Sequence, residues 1–364
     1  MTIGVGVIGT GMIGQDHIRR ITQVLTGGAV VAVNDVDQAR AGQVAAGLAC
    51  VGVPGVGVPG VGVPGVGLPS ADLPSATVHA SAQDLIADAR VDAVLVASWG
   101  AAHEEQVLAA IAAGKPVFCE KPLAPSQDAC LRIIDAEMAR GRRCVQVGFM
   151  RRYDAGYQAM KAALADGGIG APLLMHCVHR NPSMPPYGFT TEMLITDSAV
   201  HEIDLARWLF DEEIAAVTVL KPRRTSKAAD GVQDPLIIVL EMVSGVLVDD
   251  EVFVNAGYGY DIRGEVVCES GTVALADGAG VSVSAAGRRS VSVPADWRER
   301  FIRAYDAELQ DWLTAVAAGT STGPSSWDGY AAAVVADGAV AALRTGRRIA
   351  VALPERPDFY SGTQ

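Results

Sequence analysis

The sequence predicts an α/β protein of two domains, a doubly wound parallel sheet followed by an α+β domain with a mainly antiparallel sheet. Three observations carry this expectation. Short apolar segments alternate with helical ones up to about residue 150, which implies βαβ units. Beyond it the texture changes to alternating β-rich segments joined by tight links such as Val243-Ser244-Gly245, which favour hairpins. Between the first strand and the first helix lies Gly9-Thr10-Gly11-Met12-Ile13-Gly14, a GxGxxG loop. A chain of 364 residues is long enough to bury two cores.

The elements follow in order. Residues 3–8 are an apolar, β-branched run ending in glycines, as a buried parallel strand requires. A helix is expected over 12–26, then a strand over 29–33 that ends in Asn34-Asp35. Strands at 93–97, 117–119 and 145–149 are separated by helices near 104–113 and 127–140. The second half shows a helix over 196–209 and strands at 216–220, 236–242, 246–254, 265–269 and 281–293. Helices near 298–317 and 326–345 finish the chain. The predicted domains are 1–148 and 149–364.

One segment fits neither pattern. Residues 51–70 read VGVPGVGVPGVGVPGVGLPS, a five-residue repeat whose Pro-Gly pairs suit successive type II turns. It is expected to be a loop insertion in the first domain, a simple repeat tolerated at a surface connection. Seven of the 40 glycines belong to it.

Composition narrows the function. Asp and Glu number 41 against 29 Lys and Arg, a net charge of −12, which argues against nucleic acid as the main partner. A bound anion must therefore be held by local dipoles. Cys50, Cys119, Cys130, Cys144, Cys177 and Cys268 are scattered without CxxC spacing, the pattern of reduced thiols in a cytoplasmic protein. No signal peptide and no membrane span are expected, since the most apolar late stretch, 331–343, is short and carries Asp337.

The GxGxxG loop supplies such a local anion site. Its first glycine makes the tight turn, the second lets backbone approach a pyrophosphate, and the third lets the helix pack closely on the strand. The helix N-terminus, Met12 and Ile13 included, offers N–H groups and a positive dipole end. Asp35 ends the second strand, where a carboxylate accepts hydrogen bonds from a ribose diol and repels a 2′-phosphate. NAD is therefore expected over NADP.

Two further clusters carry chemistry. Cys119-Glu120-Lys121-Pro122 ends a parallel strand on the side where such sheets bind ligands, and Lys–Pro bonds adopt cis more readily than others. Asp197 and His201 are spaced i, i+4, with Asp204 i+3 beyond, so the three share one helix face. A carboxylate one turn away raises the basicity of an imidazole, which suits His201 to general-base work. The same spacing also admits a metal site or a solvated polar face. His176 and His179 alternate along a strand that could line a pocket, and His103 follows a strand end beside Ser98 and Trp99. His17 and His79 are expected to be structural or solvent-exposed.

Together these motifs resemble the glucose–fructose oxidoreductase/inositol dehydrogenase (Gfo/Idh/MocA) family. The resemblance rests on GVIGTGMIG at 6–14, CEKPLA at 119–124, VGFMRRYD at 147–154 and DxxxHEID at 197–204. SWGAAHE at 98–104, HCVHRNP at 176–182, NAGYGYDI at 255–262 and RFIRAYDAE at 300–308 are similar to its bacterial inositol 2-dehydrogenase branch. The resemblance implies a Rossmann domain, a second domain with an open sheet, and a homotetramer assembled through that sheet. It implies NAD-dependent oxidation of myo-inositol to the 2-keto inosose, with no metal. Lys121 would orient the reacting hydroxyl, His201 would accept its proton, and Asp197 would pair with His201. Arg151, His179, Asn181, Asp204 and Tyr260 would bind the polyol. Gly9, Gly11, Met12, Ile13, Gly14, Asp35, Ser98, Trp99, His103, Glu120 and Lys121 would hold NAD. Rival readings are a dehydrogenase of scyllo-inositol or of an aldose such as glucose, and a non-catalytic sugar-sensing regulator on the same fold.

Overall fold

The computed structural model describes residues 2–49, 76–185, 188–276 and 282–361; the repeat at 51–70 lies outside them. The described chain forms two compact units. The first comprises residues 1–148, 306–329 and 356–364, the second 149–305 and 330–355.

The first unit is built on β1 (Ile3–Ile8), α1 (Met12–Gln23), β2 (Gly28–Asn34), α2 (Gln38–Ala49), β3 (Thr77–Val78), α3 (Ala82–Ala87), β4 (Ala93–Val96), α4 (His103–Ala112), β5 (Val117–Glu120), α5 (Gln127–Arg140) and β6 (Val145–Gly148). The strands are all parallel, in the order β3-β2-β1-β4-β5-β6, so strand order reverses between β1 and β4. Residues of β1, β4, β5 and β6 are buried on both faces, which explains their unbroken apolar runs. Local chemistry sets several helix ends. Ser81 and Ser126 accept from the N–H groups of Asp84 and Ala129, and Gly141 closes α5 in the left-handed conformation. The weakly patterned α2 and the short α3 flank the repeat, where no strong apolar period marks them in the sequence.

The second unit begins with α6 (Ala155–Asp166), capped by Asp154 and closed by Gly167, then β7 (Pro172–Arg180). A π-helical turn, Leu194–Ala199, leads into α7 (Val200–Phe210). The strands β8 (Ile214–Leu220), β9 (Leu236–Met242), β10 (Leu247–Phe253), β11 (Asp261–Cys268) and β12 (Gly271–Ala274) follow. A separate hairpin pairs β13 (Ser282–Ala285) with β14 (Arg288–Val291). The short α8 (Trp297–Arg300), α9 (Ile302–Ala318), α10 (Ser326–Thr345) and β15 (Ile349–Ala350) complete the order. The seven-stranded sheet runs β12-β11-β7-β10-β9-β8-β15; only β7 and β10 are parallel neighbours.

The predicted regular helix over 196–209 is therefore wound differently at its start. Asp197 lies in the π turn, where the hydrogen-bond ladder is one residue wider, and His201 lies in the α-helix proper. The late helices also bring residues back to the first unit. Leu309, Trp312 and Leu313 join Val5, Val7, Leu95 and Phe118 in its core, with the Trp312 and Phe118 rings edge to face at 5.7 Å. Among the described residues no helix is long and apolar enough to cross a membrane.

Alternation along β7 to β11 gives the large sheet one buried and one more open face. Asp250 breaks the apolar rule on the buried face. It is 1% exposed, opposite Cys177 in register, and neither carboxyl oxygen has a hydrogen-bond partner. Burial, reinforced by the nearby Glu202 charge, pushes its pKa well above the carboxylate range, so it is held as the neutral acid. The unfolded chain releases this proton above about pH 4. The native state keeps it, so the stability it allows at low pH declines as pH rises. Asp250→Asn should therefore melt like the parent near pH 4 and a few degrees higher at pH 8. A melting curve whose pH slope matches the parent's would overturn the assignment of a neutral carboxyl.

Candidate active site

The carboxyl ends of β1, β4 and β5 carry the chemistry of the first unit, as expected beside the point where strand order reverses. Gly9 ends β1 at φ +94°, and a Cβ there would collide with the backbone of Ala97 and Ser98. A Cβ on Gly14 would strike the Gly9 carbonyl oxygen, so this glycine sets how closely α1 approaches β1. Gly11, the N-cap of α1, is different: a Cβ there meets nothing within 4 Å. An open cradle thus lies over the N–H groups of the first helical turn, which suits a pyrophosphate. Met12 is exposed at this turn, whereas Ile13 packs against the core and leaves only its backbone available.

Asp35 follows β2 as predicted from the motif, but its carboxylate is already engaged. Oδ2 accepts from Thr10 N at 2.6 Å and Thr10 Oγ1 at 2.9 Å. Oδ1 accepts from Asp37 N at 2.9 Å and Arg40 Nη2 at 2.7 Å. Burial opposes the charge, yet Arg40 and these donors hold the carboxyl below its usual range. These residues fit the adenosine half of a dinucleotide.

At β4 and β5 the loops are stitched together by His103. Its Nε2 lies 3.0 Å from the Ser98 carbonyl and its Nδ1 lies 2.7 Å from the Pro122 carbonyl. The ring is 1% exposed and ties these two loops together. Burial lowers its pKa against the pull of the two carbonyls. Ser98 Oγ donates to Gln106 at 2.7 Å, and Trp99 stands 81% exposed beside it. Glu120 is committed to His17 at 2.7 Å, and its other oxygen accepts Lys121 N at 3.2 Å. The Lys121–Pro122 bond is cis. His17 is fully buried, one of the two readings its position allowed.

In the second unit the candidate polyol residues fall into two groups. Arg151 is 1% exposed; its Nη1 donates to Glu202 and its Nη2 lies 3.2 Å from His179 Nδ1. His179 Nδ1 is also 3.0 Å from Glu202 Oε2. Burial opposes the Glu202 charge, but Arg151 and His179 hold its pKa below the usual range. Asp204, 1% exposed, accepts from Arg152 through both oxygens, with Nε to Oδ2 at 2.8 Å. Arg151 and Asp204 therefore have their charges occupied within the fold. The aromatic group surrounds His201: its ring meets Phe149 edge-on at 6.4 Å and lies 6.4 Å from His179. Tyr260 meets the His179 ring edge-on at 5.9 Å, and burial raises its phenol to about 12. Asn181 is half-buried just past β7, its backbone bonded to Phe253 O and Ala256 N.

Glu202 and Arg152 are the residues sequence reasoning left unassigned. Both stand inside the quoted motifs, next to His201 and Arg151, but their partners are remote in sequence and only the fold pairs them. Among the described residues no group of three or more His, Cys, Asp and Glu side chains is gathered to hold a metal ion.

Comparison with known proteins bears on both units. Residues 3–149 match the oxidoreductase family with an NAD-binding Rossmann fold, and residues 157–274 match the Gfo/Idh/MocA C-terminal domain. The chain is 52% identical to inositol 2-dehydrogenase 3 of Saccharopolyspora erythraea, covering 100% of this chain and 99% of that one. It is 50% identical to inositol 2-dehydrogenase of Burkholderia vietnamiensis over 100% of both. Among solved structures it is similar to myo-inositol dehydrogenase from Lactobacillus casei in complex with NAD(H) and myo-inositol. That likeness has a TM-score of 0.89 and 36% identity, and covers 99% of this chain and 100% of that one. The chain belongs to the Gfo/Idh/MocA oxidoreductase family.

Proposed function

We propose that this chain is an NAD-dependent dehydrogenase that oxidises myo-inositol to 2-keto-myo-inositol. The observation that carries the reading is the full-length likeness to inositol 2-dehydrogenases, one of them solved with NAD(H) and myo-inositol. The open cradle at Gly11 and the carboxylate of Asp35 just past the end of β2 support the same cofactor.

Bound NAD⁺ supplies the hydride acceptor. Gly9, Gly11, Gly14 and the first-turn N–H groups of Met12 and Ile13 hold its phosphates, and Asp35 faces its ribose. Ser98, Trp99 and Lys121 border it, while Glu120 and His103 keep their loops in place. Lys121 orients the reacting hydroxyl and His201 takes its proton, so no full negative charge develops on the oxygen as the C–H bond breaks. Asp197 pairs with His201 and favours the protonated ring. His179, Asn181 and Tyr260 bind the remaining hydroxyls. Arg151 and Asp204 act at one remove: Arg151 fixes Glu202 and thereby the His179 tautomer, and Asp204 fixes Arg152.

We further place the protein in the cytoplasm as a homotetramer joined through the large sheet. The open face supports this, with Val178, Ile237, Val239, Phe253 and Val267 interspersed among the ion pairs Arg180–Glu251 and His176–Asp249. Light scattering should give four times the chain mass; a monomer would refute the assembly.

A substrate panel with NAD should show the highest kcat/KM for myo-inositol, ahead of scyllo-inositol and glucose. Lys121→Ala and His201→Ala should each lower kcat at least about 100-fold while NADH binding persists. Either variant keeping most of its kcat would overturn the mechanism. Gly11→Ala should leave the melting temperature unchanged yet weaken NADH binding about tenfold or more. Gly14→Ala should lower both, because its Cβ has no room. Normal NADH affinity in Gly11→Ala would move the pyrophosphate away from that turn.

A further inference from the structure

Inside the first unit, the helix under the phosphate cradle is tied to the strand end that carries Lys121. His17 lies in the second turn of α1, whose N-terminus forms the cradle. It is fully buried, and its Nε2 lies 2.7 Å from Glu120 Oε1 at the end of β5. A carboxylate only accepts, so the ring holds its hydrogen on Nε2. The Phe118 ring packs edge-on at 5.7 Å and fixes the plane of the imidazole.

Glu120 passes the constraint on. Its Oε2 accepts Lys121 N at 3.2 Å, while the Pro122 carbonyl just beyond is held by His103 Nδ1 at 2.7 Å. The Lys121 backbone is thus pinned on both sides. Behind Glu120 stands Gly148, at the end of β6, where a Cβ would lie 3.1 Å from Oε2 and 3.2 Å from the carboxyl carbon. The carboxylate sits between its donors and a glycine that leaves it room. Glu120 is only 6% exposed, so removing His17 leaves a buried acceptor half satisfied. Turning outward to find water, it would release Lys121 N. A packing role accounts for the burial of this pair, but not for its ending on the backbone of the residue that orients the reacting hydroxyl.

We propose that His17 is a positioning residue for hydride transfer, a strut that sets Lys121 relative to the helix holding the cofactor phosphates. It acts through Glu120. The proposal rests on the dehydrogenase reading and deepens it, because a misplacement of about 1 Å costs on the order of 100-fold in rate even when its cause is remote.

Steady-state oxidation of myo-inositol with NAD, normalised to NADH sites titrated by fluorescence, tests it. His17→Ala should lower kcat per site about 30-fold or more, with KM and NADH affinity changed by less than about threefold. His17→Gln, which returns an N–H to the carboxylate, should recover kcat to within about fivefold of the parent. Gly148→Ala, which leaves His17 intact and crowds Glu120, should lower kcat about threefold to tenfold at parental NADH affinity. If His17→Ala keeps kcat per site within about threefold of the parent, the pair is structural only and the proposal is overturned, whatever the melting temperature. Equal losses in kcat and NADH affinity would overturn it too, by placing His17 in cofactor binding. Should His17→Ala fail to fold, Gly148→Ala decides, and a parental kcat there overturns the strut. A parent protein that binds NADH but oxidises no polyol would overturn the dehydrogenase reading and this proposal with it. An active parent with an indifferent His17→Ala would overturn the strut alone.

Discussion

A full charge removed from water must meet its counter-charge, and that requirement arranges most of what is chemically active in this protein. Arg151 is buried because Glu202 is there to receive it, and Glu202 in turn faces His179. Arg152 reaches Asp204 by the same logic, and Arg20, fully buried in α1, spans Asp16 and Asp306. Arg151–Glu202, Arg152–Asp204 and Arg20–Asp306 each tie together two backbone segments far apart in sequence. The side chains nearest the proposed chemistry, His179, His201 and Tyr260, are held by neighbours whose own positions are electrostatically fixed. Asp250 is the exception that obeys the rule in the other way, by giving up its charge.

The first unit meets the same requirement with fewer ions and more backbone. Its cradle is made from what glycine leaves out: no Cβ at Gly9 to foul Ala97, none at Gly14 to foul the Gly9 carbonyl, none at Gly11 to fill the opening. His103 and Glu120 then brace the neighbouring loops, the former through two carbonyls, the latter through His17. A cofactor with two phosphates can be held by an acidic chain because local N–H dipoles, not net charge, face it.

Much of this was legible in the sequence. The GxGxxG loop, Asp35, the strand-end Lys121 and the alternation of the second sheet follow from periodicity and spacing, which are local properties. What stayed hidden depends on long-range pairing or on local winding. Glu202 looked like an ordinary helix carboxylate because its partner is 51 positions away. Arg40 is close to Asp35 in sequence, but only the turn from β2 into α2 folds it back onto the carboxylate. The π turn at Leu194–Ala199 has no composition of its own to announce it. Arg151 and Asp204 were placed on the polyol by resemblance, and the fold shows their charges already taken.

The return of residues 306–329 to the first unit governs the order in which the chain can complete itself. Phe118, Leu95 and Val5 lie in a core that is closed by Leu309, Trp312 and Leu313. On a ribosome, which releases the N-terminus first, the parallel sheet must wait through residues 149–305 before that core can close. Its contacts are correspondingly remote in sequence, and such contacts form slowly because a long loop must first be ordered. The nucleotide-binding half is therefore the first to be synthesised and among the last to be finished, with its apolar surface in need of protection in the interval.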